Sequence, residues 1–457
     1  MMKRRRFLQL AASAAAGAVV DRSSAFSSCA QFSLRIAPVS VELAPGIVVG
    51  TTGYNGQSPG PVLRMREGVA ATVSVTNASE VPEFVQWHGL HLSSAASGAE
   101  GGPMISVGTT RTYRFTPSPT GTRWYHSRTG TFTDLARAAN SGQFGFLLIE
   151  PRSHAGAFDQ EVFLAVHHWE PSLLRVHERA GGHEVAYRYA SFNDKLLGAG
   201  EPVRVRAGER VLFHFLNASA TEDVLLHLPG HRFSVVALDA NPVPKPVAVD
   251  VLSLTVGERI DAVVEMNTPG NWLLGSLDDA ERARGLGVCV EYANQSGIAR
   301  WHPPAAVDWS YTRFSATARY APEPDQLLEM LLEKRLDPKL NSGDGIHHWL
   351  INGRSYPDIE PLFLQPGRRY RLRMMNATAR AHPVHLRHHS FELTRINQIP
   401  VSGIFKDTIR LERYNVVEVD VAVSYPGPRS SLKDTLFFSG TPACGAFSSI
   451  TPIAKML

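Results

Sequence analysis

Histidines cluster at three places in this chain, and histidine is the side chain best suited to binding a transition metal. Residues 382–389 read His382-Pro383-Val384-His385-Leu386-Arg387-His388-His389, four imidazoles in eight residues. Residues 86–91 read Gln86-Trp87-His88-Gly89-Leu90-His91, and residues 124–128 read Trp124-Tyr125-His126-Ser127-Arg128. Neutral imidazole favours copper, zinc, iron or nickel. On a strand, residues two apart face the same side, so alternate positions around Trp87 and Tyr125 aim into one cavity while these two aromatic residues point away and pack. A His-rich surface loop would explain the 382–389 run taken by itself. The remainder of the chain has to decide between the two.

The elements that must position these groups are strands. The chain has 457 residues, 30 of them proline and 37 glycine, and 19% charged. That length suits roughly two to four domains, and the turn-rich composition with few helix-period runs favours a β-rich fold. A formal charge of +4 argues neither for nucleic acid nor for a basic membrane patch. Cys29, Cys289 and Cys444 are too few and too scattered for a disulfide framework.

One pattern occurs three times: a strand, a glycine turn, a second strand and an asparagine. It is seen at Gly68 and Asn77, at Gly208 and Asn217, and at Gly367 and Asn376, with a spacing of nine in every copy. The Asn-Ala-Ser/Thr triplets that close these units are read as turn chemistry. Each copy spans a whole domain, so the chain is expected to be all-β, with three tandem Greek-key β-sandwich domains. The expected boundaries are 31–152, 158–297 and 326–457, with a proline-rich linker at 298–325. Residues 278–285 suggest a surface turn of helix. Residues 325–336 fit an amphipathic helix and an edge strand equally well.

Before the first domain, Lys3-Arg4-Arg5-Arg6-Phe7-Leu8 precedes a weakly apolar run from Leu10 to Val20 and small residues at Ser23-Ser24-Ala25. Residues 1–28 resemble a twin-arginine signal peptide, which implies export in the folded state to the periplasm or beyond. No stretch reaches about 18 uninterrupted apolar residues, so no membrane span is expected.

Together these motifs make the chain similar to bacterial three-domain multicopper oxidases of the laccase-like type, over nearly all of residues 31–437. The family pattern is HWHG, WYHxH, HPxHLH and a final HCHxxxH followed by Met. The resemblance implies cupredoxin-like domains and copper as cofactor. A type 1 copper in domain three takes electrons from a small-molecule or metal-ion donor, and a trinuclear cluster between domains one and three reduces dioxygen to water. It also implies a monomer that binds no nucleic acid. Carried over residue by residue, the type 2 copper positions are Gln86 and His385. One type 3 copper keeps His88 and His126. The other meets Arg128 and Arg387, and type 1 copper keeps His382.

The implied metal ligands are thus His88, His126, His382 and His385, and the substituted positions are Gln86, Arg128 and Arg387. Where the family reads HCH, this chain reads Phe438-Ser439-Gly440, and no histidine follows His389. From Pro428 onward the alternating pattern is lost; a frameshifted gene end and genuine divergence both account for it. Guanidinium stays protonated and donates no lone pair to a metal. Two such groups would either replace the charge of a lost copper and bind an anion or carboxylate, or turn to a local acid or to water.

His88, His126 and His385 are expected to converge, and three imidazoles with the Gln86 oxygen can hold Zn²⁺ or copper with an open position. His91, His388, His389, His167, His168, His347 and His348 are read as packing or surface residues. Two functions follow. One is an exported family member whose copper ligands are largely lost, with oxidase activity impaired or absent. The other is a functional laccase-like oxidase.

Overall fold

The structure, a computed structural model, describes residues 31–92, 104–129, 140–151, 158–176, 182–295, 297–316, 321–336, 347–354, 359, 362–365, 367–386, 389–422 and 434–436. The signal-peptide residues, Cys29, Arg387, His388 and Cys444 therefore lie outside the described residues, as does the side chain of Arg128.

Strict alternation builds the sheets. In Ala71–Asn77 the residues Ala71, Val73, Val75 and Asn77 are buried while Thr72, Ser74 and Thr76 are partly exposed. Arg369–Asn376 repeats that alternation in the third sheet system. Period two puts every second side chain on one face, so each strand closes over a core. The first core is shared by two four-stranded sheets. One runs Ile47–Tyr54, Phe32–Ala44, Ala71–Asn77, Thr110–Phe115, and the other Gly60–Arg66, Phe144–Glu150, Gly121–Thr129, Glu83–His88. Leu34, Val73 and Tyr113 from one sheet meet Leu63, Trp87, Tyr125 and Ile149 from the other.

A six-stranded and a five-stranded sheet form the second sandwich, and a seven-stranded sheet with two short ribbons forms the third. Each system contains a parallel pair closed by a long connection. These are Phe32–Ala44 with Ala71–Asn77, Gln160–Val176 with Arg210–Asn217, and Gln326–Leu336 with Arg369–Asn376. Long connections between such pairs are the wiring of Greek-key sandwiches. The architecture is all-β with cupredoxin-like sandwiches in three successive units.

The threefold sequence repeat has a common structural cause. Gly68, Gly208 and Gly367 adopt φ of 70°, 85° and 81°, which glycine reaches without strain. Nine residues later the asparagine is buried and wires its own turn. Asn77, Asn217 and Asn376 each accept from the backbone N–H two residues on, at 2.9, 3.0 and 2.9 Å. Their Nδ2 groups donate to the carbonyls of Val81, Glu222 and Arg380 at 2.8, 2.8 and 2.7 Å. A second donation from each staples the turn to the backbone across the sandwich, at the carbonyls of Ile105, Leu254 and Leu411.

Residues 326–336 are a strand, with Met330 and Leu332 facing the core. Parallel pairing with Arg369–Asn376 decides what the leucine-rich pattern alone leaves open. The charged stretch near 280 forms a single turn of helix, Asp279–Ala283, capped by Asp278. Within the expected linker, the 3-10 turn Tyr311–Phe314 buries Phe314 completely. The second and third sandwiches share one continuous apolar core that includes Phe314.

The first sandwich meets the second through Trp124, Phe144 and Phe146 against Ala165, Leu216 and Ala218. At that same contact Asp194 is 1% exposed, with Oδ1 4.0 Å from His167 Nδ1. Burial pushes its carboxyl up to about 7 from 3.8, against the lowering effect of Ser58, Trp169 and Lys195. The folded chain therefore keeps a proton that the unfolded chain loses, and stability falls as pH rises from about 3.8 to about 7. Asp194→Asn is expected to leave the melting temperature near pH 4 unchanged and to raise it at pH 8 by about 2–4 °C or more. Scanning calorimetry at the two pH values checks this, and no gain at pH 8 would count against the buried acid.

Candidate metal centre

Five strands carry the groups at the junction of the three sandwiches: β1 (Glu83–His88), β2 (Gly121–Thr129), β3 (Arg259–Glu265), β4 (His382–His385) and β5 (Thr408–Leu411). β1 and β2 pair antiparallel with Gln86 opposite His126, Trp87 opposite Tyr125 and His88 opposite Trp124. Paired residues share a face, so Gln86, His88, Trp124 and His126 form one side of the ribbon. Trp87 and Tyr125, buried in the first core, form the other. Arg128 lies opposite Phe84, one step further along β2.

β4 pairs with β5, with His385 opposite Thr408 and His382 opposite Leu411. Three residues apart on a strand, His382 and His385 face opposite sides. His385 reaches the ribbon of the first sandwich, where its ring stacks on His88 with centroids 3.8 Å apart and planes 24° apart. His126 flanks the pair, its ring 5.8 Å from that of His88 and stacked on Trp124 at 4.2 Å. His88 and His385 thus come together, with His126 beside them but outside the donor group that His88 and His385 form with Asp407. His382 does not join them: its Nε2 lies 2.8 Å from Thr378 Oγ1, and burial with the nearby Arg380 lowers it to about 4. His91, read as a packing residue, places Nε2 3.1 Å from Ser390 Oγ and is lowered by burial to about 4.

The junction also holds charges that the histidine motifs did not announce. Asp407, at the edge of β5, lies with Oδ1 3.4 Å from His88 Nε2 and 3.6 Å from His385 Nδ1. Its carboxylate is gripped by Arg259 of β3, with Nη1 2.8 Å from Oδ1 and Nη2 on Oδ2. Arg123 of β2 approaches Oδ2 at 3.7 Å. Behind them Lys406 sits 3.0 Å from Asp239 Oδ2 and 2.9 Å from Glu258 Oε1. Asp239 Oδ2 also accepts from the backbone N–H groups of Asp407 and Thr408 at 3.2 and 3.0 Å. All six charged residues, three cations and three anions, are at most 1% exposed.

Burial acts to raise the Asp407 carboxyl, but Arg259, His385 and His88 overcome it and hold it well below the usual carboxylate range. Burial, with the neighbouring His385, pushes His88 well below its ordinary value, which favours the uncharged ring. Space at the junction is tight. A Cβ on Gly89, which has φ of 85°, would lie 2.8 Å from Arg259 Nη2 and 2.8 Å from Asp407 Oδ2. Glycine at this point of the motif admits the guanidinium–carboxylate pair.

Among the described residues, the one group of three ligating side chains able to share an ion is His88, His385 and Asp407, whose donor atoms all lie within 4.8 Å of one another. Asp407 and Arg259 are absent from the residues singled out by sequence. The signal that could have found them is a charge inside an apolar strand context: Glu258-Arg259-Ile260-Asp261 and Lys406-Asp407-Thr408-Ile409.

Three consecutive sandwiches, with an imidazole cluster between the first and third, define a cupredoxin-like oxidase architecture. Family models described as multicopper oxidase match residues 37–154, 185–289 and 321–429, and the chain belongs to the multicopper oxidase family of laccase-like proteins. It is 26% identical over 410 residues to multicopper oxidase MmcO of Mycobacterium tuberculosis, across 81% of this chain and 77% of that one. Copper resistance protein A of Escherichia coli is 27% identical over 325 residues, 60% of this chain and 52% of its own length. A multicopper oxidase from Pseudomonas thermotolerans has the same fold, with a TM-score of 0.69 and 22% identity over 91% of this chain and 96% of that one. Copper is the cofactor that membership implies. Two imidazoles and a carboxylate oxygen fit one ion of this kind.

Arg259→Met keeps the length of the side chain and leaves Asp407 as an uncompensated buried charge. Loss of about 3–5 kcal/mol of unfolding free energy is expected, measured by urea denaturation. A loss below about 1 kcal/mol would place the pair among weak surface interactions.

Proposed function

We propose that this chain is an exported member of the multicopper oxidase family with reduced metal-binding capacity, and that it does not carry out the four-electron reduction of dioxygen. The observation that carries this reading is the shared face of β1 and β2. The family resemblance implies four imidazoles at Gln86, His88, His126 and Arg128, and two of the four positions hold histidine. An amide is a weak ligand and a guanidinium is none. Arg387 adds another cation at an implied ligand position of the sequence. A blue-copper site needs two imidazoles and a thiolate, whereas His382, its one surviving implied ligand, is directed to Thr378.

The export reading rests on the twin-arginine pattern of residues 1–28, and it places the protein in the periplasm or outside the cell. No helix among the described residues is long and apolar enough to cross a membrane. The names of the relatives favour a second reading, a working laccase-like oxidase with a small-molecule or metal-ion donor.

Metal analysis after copper loading separates the two. Fewer than two coppers per chain, no intense blue band and no oxidation of a phenolic donor are expected. About four coppers with a blue band would overturn the proposal. Reverting Gln86, Arg128 and Arg387 together to histidine is expected to add about one copper or more per chain; unchanged uptake would show that these positions do not face the cluster.

A further inference from the structure

The polar junction offers a donor set different from the all-imidazole cluster that the family implies. His88, His385 and Asp407 are each no more than 5% exposed and present donor atoms within 4.8 Å of one another. Bond lengths of about 2.0–2.2 Å place neighbouring donors of one ion about 3.0–3.5 Å apart. The His88 Nε2 to Asp407 Oδ1 separation is 3.4 Å and that from His385 Nδ1 is 3.6 Å. Both separations from Oδ1 are near that range, while the stacked rings of His88 and His385 have to turn for their nitrogen lone pairs to meet on one ion.

The two carboxylate oxygens of Asp407 have different neighbours. Oδ1 faces both imidazoles and accepts from Thr408 Oγ1 and from Arg259 Nη1, each at 2.8 Å. Oδ2 faces the guanidinium groups of Arg259 and Arg123. Arg259 Nη1 is shared between Oδ1 and Gly257 O, at 2.8 Å to each, so ligation through Oδ1 gives up one contact while Nη1 stays on Gly257 O and Nη2 on Oδ2. His385 Nδ1 lies 2.9 Å from the Asp407 carbonyl, an acceptor, and so carries the ring proton in the ion-free chain. Ligation through Nδ1 therefore calls for the other tautomer, with the proton on Nε2.

We propose that His88, His385 and Asp407 form a mononuclear site of two imidazoles and one carboxylate for a divalent first-row ion such as Zn²⁺, Fe²⁺ or Co²⁺, with Arg259 as the positioning residue that holds the second oxygen of Asp407. Mixed nitrogen and oxygen donors suit these ions, and the set lacks the soft sulfur ligands that select Cu⁺. The buried guanidinium groups lower the affinity by charge repulsion. The inference rests on the reading that the junction no longer assembles a trinuclear cluster.

The test is titration of the purified, chelator-treated full chain with Co²⁺, followed by its visible absorption and by calorimetry, with Zn²⁺ as competitor. One Co²⁺ per chain, displaced by Zn²⁺, is expected. His88→Gln and Asp407→Asn should each weaken binding by about 10-fold or more, and His382→Gln should change it less than about 2-fold. Asp407→Asn disturbs a buried ion pair, so circular dichroism accompanies it, and His88→Gln decides the matter if that variant does not fold.

Arg259→Lys, which keeps the charge and loses the two-point grip, is expected to alter the Co²⁺ band and weaken binding while the chain stays folded. A band identical to that of the parent would overturn the positioning role. No Co²⁺ binding, or binding that survives both His88→Gln and Asp407→Asn, would overturn the site and leave the reduced-capacity reading standing. About four coppers per chain would instead remove that reading and this site with it.

Discussion

A carboxylate and a guanidinium, both out of water, meet where Asp407 of the third sandwich is gripped by Arg259 of the second. Neither charge is tolerable alone in that setting, because desolvating an ion costs several kcal/mol unless a partner and further hydrogen bonds offset it. The structure supplies both. Lys406 answers Asp239 and Glu258, and Arg123 reaches in from the first sandwich to donate to Asp239 O at 3.1 Å. The group is formally neutral and draws one or more members from every sandwich. Position of the imidazoles then follows, since His385 is fixed by the Asp407 carbonyl and Thr408, and His88 stacks on it.

This arrangement makes the chemistry of the junction a contest over one carboxylate. Oδ1 of Asp407 is shared between two imidazoles and the Arg259 guanidinium, while Oδ2 looks toward both Arg259 and Arg123. In the resemblance that membership implies, nearby charge is supplied by several coppers. Here protein side chains supply positive charge beside the imidazoles, and the carboxylate balances it. A junction organised in this way can hold the three sandwiches together without any ion, which separates the stability of the fold from its loading with metal.

Much of the fold was readable from the chain. The glycine-to-asparagine repeat is local chemistry: a left-handed turn followed by an asparagine that bonds its own next turn, and both signals survive without any tertiary context. His88 and His126 were readable because strand alternation puts alternate residues on one face, and His385 because the family resemblance places its motif at the same junction. Residues 326–336 were not, since their leucines satisfy both a helical and a strand period until a parallel partner selects one. Arg259 and Asp407 were missed for a different reason. They lie 148 residues apart, each beside other charges that read as a solvated strand end. What makes them functional candidates is burial, and burial belongs to the assembled sandwiches. His382 shows the converse: a motif neighbour only three residues from His385, yet turned to the opposite face by the same alternation.

The continuous apolar core of the second and third sandwiches carries a consequence for how the chain comes apart. Phe314 sits inside that core although it belongs to the segment between the two units. A protease cut near this segment would not release two independent bodies, because each half would carry away a bare apolar face. The second and third sandwiches should therefore behave as one cooperative block under heat or force. The first, which has its own core and meets the second through a smaller patch around Trp124, is the unit able to detach as a separate step.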